Sequence, residues 1–132
     1  MNLELLRQVC VTPGAPGFED KIRDFIIQEV APLVDAVRVD NMGSVIAIVE
    51  GKNTEKTMMA AAHMDEIGFL VQNIASNGFL QLVGIGGWWP HTLLSQRVLV
   101  KTRSGRGIRG VIGSKPPHFL PEGQRNSVMS ME

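Results

Sequence analysis

Residues 57 to 62, Thr57-Met58-Met59-Ala60-Ala61-Ala62, run without a single charge between the polar stretch 51–56 and an abrupt His63-Met64-Asp65-Glu66. A short uncharged run of this kind reads as a strand covered on both faces, the hallmark of an α/β arrangement. The preceding pattern agrees. Leu3, Leu6, Val9 and Cys10 recur at helical spacing and predict a short amphipathic helix over 3–10. Thr12-Pro13-Gly14-Ala15-Pro16-Gly17 cannot continue it and reads as a loop. Phe18, Ile22, Phe25, Ile26 and Val30 fall on one face of a second helix. It is expected to begin near Phe18, with Glu19 and Asp20 in a first turn whose dipole favours carboxylates, and to end or kink at Pro32.

The period then changes from helical to extended. Val37 and Val39 alternate with charged neighbours, Asn41-Met42-Gly43 reads as a turn, and Val45 to Val49 is a β-branched run, so a hairpin is expected. Phe69 to Ile74 and Phe79 to Val83 flank Ser76-Asn77-Gly78, whose Asn-Gly pair can supply the positive φ angles of a tight reversal. Arg97 to Thr102, Ser104-Gly105 and Ile108 to Ile112 repeat the motif, and no convincing helix appears in this half. Short strands and frequent glycines predict a small barrel or sandwich here, so the chain reads as an α/β unit followed by a β-rich one. Charge divides at the same place. Residues 1–68 carry six basic and eleven acidic side chains, and residues 69–132 carry seven and two. A domain boundary after Gly68 is the expectation.

With 44% apolar and 20% charged residues the sequence has neither the composition of a disordered tail nor an apolar run of about 18 residues that could span a membrane. At 132 residues a chain normally buries roughly two thirds of its unfolded surface, enough for a core without staples. Cys10 has no partner for an internal disulfide, and the start lacks the pattern of a secretory signal, so a reducing, cytoplasmic setting is expected.

His63 and Asp65 carry the sharpest chemical signal. Side chains two apart on an extended segment point the same way, and the end of a strand is where ligands bind in open α/β sheets. A neutral imidazole can coordinate a divalent metal through one nitrogen while an acceptor on the other fixes its tautomer. Asp65 could be that acceptor or could reach a metal-bound water; a strand end whose polar residues merely meet solvent is the plainer alternative. His91 and His118 lie beside prolines in loops and read as surface residues, and Cys10 reads as a small hydrophobe on a helix. Gly84-Ile85-Gly86-Gly87 does not lead into a helix, which argues against a phosphate cradle. Arg97, Lys101, Arg103, Arg106, Arg109 and Lys115, near Trp88, Trp89 and Phe119, read as a solvated face or subunit contact in preference to a nucleic-acid surface.

Taken in series, several segments resemble one family. Ala61-Ala62-His63-Met64-Asp65-Glu66-Ile67-Gly68-Phe69, Ile85-Gly86-Gly87-Trp88, Gln96-Arg97-Val98 and Gly110-Val111-Ile112-Gly113-Ser114-Lys115-Pro116-Pro117-His118 resemble the glutamyl and deblocking aminopeptidases. The loop from Thr12 to Glu19 and Asp40-Asn41-Met42-Gly43-Ser44 look like that family too. The resemblance implies a dinuclear metallopeptidase acting on peptides, with two divalent ions, zinc or cobalt. It also implies an α/β sandwich interrupted just after the His-x-Asp segment by a β-rich, PDZ-like dimerisation domain, and homo-oligomers from dimers up to dodecamers. By position His63 matches a metal ligand and Asp65 the catalytic carboxylate that orients it, whereas His91 and His118 match no ligand. The resemblance places this chain at the N-terminal portion of such an enzyme. The general base and the other ligands would then lie beyond residue 132, and the chain alone is expected to be inactive. A non-catalytic self-association module built on the β-rich half is the alternative. An endoglucanase-like activity, a label attached to some relatives, needs two carboxyl groups about 5–10 Å apart across a bond, and Asp65 and Glu66, adjacent on a strand, would point in opposite directions.

Overall fold

In the computed structural model residues 2–53 and 55–127 are described. The chain divides into two compact units, Met1–Gly86 and Gly87–Glu132.

The first unit begins with α1, Leu3–Val11. The Asn2 side chain caps it by accepting the Leu5 N–H at 3.1 Å, and the Thr12 N–H and hydroxyl close it on the Gln8 carbonyl at 3.0 and 2.7 Å. Helix α2 spans Asp20–Val30, starting two residues later than the periodicity suggests. Glu19 is its N-cap and lies outside the first turn, with its carboxylate turned back onto the Gly17 N–H at 2.8 Å. Pro32 sits in a 3-10 turn, Ala31–Leu33, that finishes the helix. Ile22 on α2, 2% exposed, is the buried apolar side chain of this unit among the described residues.

Among the described residues six strands follow, all paired as antiparallel hairpins, each hairpin its own two-stranded sheet. In the first unit β1, Ala36–Val39, pairs with β2, Val45–Ile48, so that Val39 faces Val45. There β3, Gly68–Ile74, also pairs with β4, Leu80–Ile85, with an irregularity between Val71 and Asn73. In the second unit β5, Arg97–Lys101, pairs with β6, Gly107–Val111. Among its described residues the helical segments are 3-10 turns at Pro90–Thr92, Pro117–Phe119 and Glu122–Gln124.

One hydrogen-bond scheme recurs in the three hairpins. The residue before the turn donates its N–H to the carbonyl four residues on and accepts the N–H of a glycine three residues on. Asp40 does this with Ser44 and Gly43, Ala75 with Phe79 and Gly78, and Thr102 with Arg106 and Gly105, all at 2.8–3.1 Å. The glycines have φ of 89°, 85° and 79°. Each connection therefore needs one left-handed residue, and glycine takes that conformation without steric cost. This differs from the tight Asn-Gly reversal expected at 77–78. Asn77 keeps a negative φ and its side chain accepts the Phe79 N–H at 3.2 Å.

Other expectations are overturned. Thr57–Ala62 has no regular secondary structure, and Met58 and Met59 are 94% and 86% exposed. An extended run becomes a covered strand only if other strands bond to both its edges, and no described strand pairs with this one. Its apolar character records a need for cover without supplying it. Among the described residues the strands of the β-rich half pair as separate hairpins, β3 with β4 and β5 with β6. The core among the described residues is smaller than the length suggests: Ile22 and, in the second unit, Leu93 at 6% exposure are the buried apolar side chains. Cys10, read as a small hydrophobe, is exposed, because the apolar face of α1 that includes Leu3 and Leu6 is itself uncovered.

Candidate functional site

Residues 63–67 connect the uncharged run to β3, and within them the two singled-out side chains meet. His63 Nδ1 lies 3.0 Å from Asp65 Oδ1 and 3.0 Å from the Asp65 backbone carbonyl oxygen. A backbone carbonyl can only accept, so Nδ1 carries the proton and donates. In the neutral form of a ring that donates from Nδ1 the lone pair lies on Nε2, which has no protein partner among the described residues. The His63 side chain is 86% exposed and that of Asp65 43%. An imidazole held by a carboxylate at one nitrogen and open at the other is the arrangement of a metal-ligating histidine with its orienting partner.

The backbone of this segment is tied to the loop between the helices. The Glu66 N–H donates to the Gly14 carbonyl at 2.9 Å, and the Gly14 N–H donates to Glu66 Oε1 at 3.2 Å. Close packing makes the glycine necessary: a Cβ at position 14 would lie 2.7 Å from Ile22 Cγ2 and 3.3 Å from the Met64 carbonyl oxygen. The adjacent carboxylates of Asp65 and Glu66 thus serve different partners and do not converge on one point.

His63 and Asp65 stand on a wall shared by two open clefts within the first unit. One, of about 250 Å³, lies between residues 42–45 of the first hairpin turn and residues 62–65, with Glu19 at its side. The other, of about 360 Å³, is bounded by Pro16, Glu66, Ile67, Ile85 and Gly86. Gly86, at φ 87°, allows this approach, since a Cβ there would fall 2.4 Å from Ile67 Cγ2. At the start of the first hairpin turn the Asp40 carboxylate accepts the Met42 and Ser44 N–H groups, each at 2.9 Å. These bonds, the Ser44 one foremost, hold its carboxyl below the ordinary aspartate range.

No cluster of three or more His, Cys, Asp or Glu side chains that could hold a metal occurs among the described residues. A catalytic zinc takes three protein ligands, so His63 and Asp65 fit as a part of such a site and not as the whole. His91 makes an edge-on contact with Trp89 and His118 a tilted one with Phe119. Sequence reasoning left Gly14 and Glu66 without a role. They are 52 residues apart, and neither a glycine in a Pro-Gly loop nor a glutamate after Asp65 signals that the two are bonded.

Among the described residues no helix is long and apolar enough to cross a membrane. The family model for M42 glutamyl aminopeptidase matches residues 43–132. A lysyl aminopeptidase of Pyrococcus furiosus is 38% identical over 123 residues, which are 92% of this chain and 35% of that protein. The structure of a TET aminopeptidase from a marine sediment thaumarchaeote superposes with a TM-score of 0.89 at 38% identity, covering 98% of this chain and 35% of the other. The TET1 peptidase of Pyrococcus horikoshii, described as assembling into a tetrahedron or a large octahedral shell, gives a TM-score of 0.82 at 36% identity, over 98% of this chain and 38% of its own. The chain spans little more than a third of the length of these relatives.

Proposed function

The chain belongs to the M42 glutamyl aminopeptidase family, and from that premise we propose that it forms part of a metal-dependent aminopeptidase acting on the N-termini of peptides. The observation that carries this reading is the His63–Asp65 pair, with Nδ1 engaged and Nε2 open. His63 is the proposed metal ligand, and Asp65 the proposed carboxylate that holds it.

In a complete site of this kind two divalent ions, zinc or cobalt, would supply an activated water and polarise the scissile carbonyl. The described residues contribute one imidazole to that set. We therefore assign no hydrolytic step to the 132-residue chain by itself. Its own part is to fix one ligand at the wall of two clefts, either of which can admit a peptide end. The rest of the proposal follows the family. Residues 1–68 would belong to the catalytic α/β domain and residues 69–132 to a PDZ-like dimerisation domain. Homo-oligomerisation through the latter is supported by the assemblies described for the TET1 peptidase. A lone cysteine supports a reducing, cytoplasmic setting.

Two measurements test the reading. With zinc or cobalt added, the chain should not cleave aminoacyl anilides above background; robust turnover abolished by His63→Gln would overturn the assignment of an incomplete site. In NMR titrations with Co²⁺, the His63 ring signals should broaden first. Broadening of His91 or His118 with His63 untouched would remove His63 from the ligand set.

A further inference from the structure

We infer that Gly14 and Glu66 are positioning residues for His63, acting through the peptide group that joins Asp65 to Glu66. That peptide group is engaged at both ends. Its N–H, from Glu66, donates to the Gly14 carbonyl at 2.9 Å, and its C=O, from Asp65, accepts from His63 Nδ1 at 3.0 Å. A trans peptide is a rigid plane with these two groups on opposite sides. Holding the N–H toward the 12–17 loop therefore aims the C=O at the imidazole. The three groups form a chain of hydrogen bonds in which each donor strengthens the next.

The Glu66 side chain completes the clamp. By accepting the Gly14 N–H at 3.2 Å it fixes the residue whose carbonyl receives the Glu66 N–H, so residues 14 and 66 are bonded in both directions. Gly14 is itself seated against Ile22 of α2, where a Cβ has no room. The orientation of an 86% exposed histidine thereby becomes anchored to the buried side chain of the first unit. Asp65 Oδ1 alone could follow the ring as it turns. The added bond to a fixed backbone carbonyl selects one ring orientation and one tautomer, leaving Nε2 as the acceptor. The functional meaning of this clamp rests on the proposed role of His63 as a ligand; its existence does not.

The test uses the metal-free chain and reads the tautomer of each histidine from ring ¹⁵N shifts at alkaline pH, with His91 and His118 as internal controls. His63 should be mainly the Nδ1–H form. Glu66→Ala should shift its tautomer ratio toward Nε2–H by about 2- to 10-fold, the range that a hydrogen bond of ordinary net strength commands. Glu66→Gln, whose amide oxygen can still accept the Gly14 N–H, should restore the wild-type ratio. A folded Glu66→Ala chain with an unchanged ratio would overturn the inference. If that variant does not fold, the wild-type chain decides: a scalar coupling across the hydrogen bond between the Glu66 amide nitrogen and the Gly14 carbonyl carbon supports the clamp, and its absence refutes it. Failure of Co²⁺ to reach His63 would sink the proposed function while leaving the tautomer result in place.

Discussion

Nδ1 of His63 faces two acceptors contributed by one residue, and that single fact sets what the ring can offer to anything in the adjoining clefts. His63 and Asp65 meet, as their two-residue spacing suggests, although the segment that carries them is not a strand. The second acceptor was not legible, because which way a peptide plane turns depends on what its N–H finds. Asp40 illustrates the same point. Its carboxylate gathers the N–H groups of the turn it opens, so its folded pKa lies below the unfolded one. A group shifted in this direction adds stability above the unfolded pKa, and that contribution disappears as pH falls through the folded value. The Met42 and Ser44 amide signals should therefore titrate with a midpoint below the ordinary aspartate range. Asp40→Asn keeps an acceptor oxygen and should abolish that titration while leaving the turn formed; an unshifted wild-type midpoint would contradict the account.

Three hairpins built on one turn scheme make the glycines at 43, 78 and 105 equivalent in backbone and different in surroundings. Nothing lies within 4 Å of a Cβ placed at Gly78 or Gly105, whereas at Gly43 it would meet Arg23 Nη1 at 3.3 Å. Gly78→Ala and Gly105→Ala should each destabilise their hairpin by about 1–2 kcal/mol, the cost of a left-handed alanine. Asparagine should cost less at either position, and Gly43→Ala at least as much as the other two. Amide exchange of the flanking strands is the measure, and equal protection in glycine and alanine forms would exclude this origin. The positions of these turns were visible in the sequence because glycine has few substitutes at positive φ, whereas the turn scheme itself was not. Thr57–Ala62 was misread for a complementary reason: the absence of charge reports what a segment tolerates around it, whereas a strand also needs partners for its backbone.

Each unit, taken by itself, buries little apolar surface among its described residues. Among the described residues one apolar side chain is buried in each unit, Ile22 and Leu93, a small core for either, and isolated two-stranded hairpins are marginal in water. Leu99, Val111, Ile74 and Phe79 are exposed strand or turn residues of the kind that drive association. The chain should bind a hydrophobic dye and sediment with a concentration-dependent coefficient; a folded species that stays monomeric at high concentration would argue against homo-oligomerisation through the β-rich half.

The sequence by itself determined the local elements: two amphipathic helices from their 3.6-residue period, three hairpins from β-branched runs and glycines, and the His63–Asp65 pairing from a spacing of two. These depend on residues close along the chain, whose conformational preferences act directly on each other. Only the tertiary structure decided that the uncharged run is bare, that the described strands stop at hairpins, and that Gly14 and Glu66 grip the peptide beside His63. Each of those outcomes rests on partners distant in sequence, and a backbone N–H or an apolar side chain carries no mark of which distant group will satisfy it.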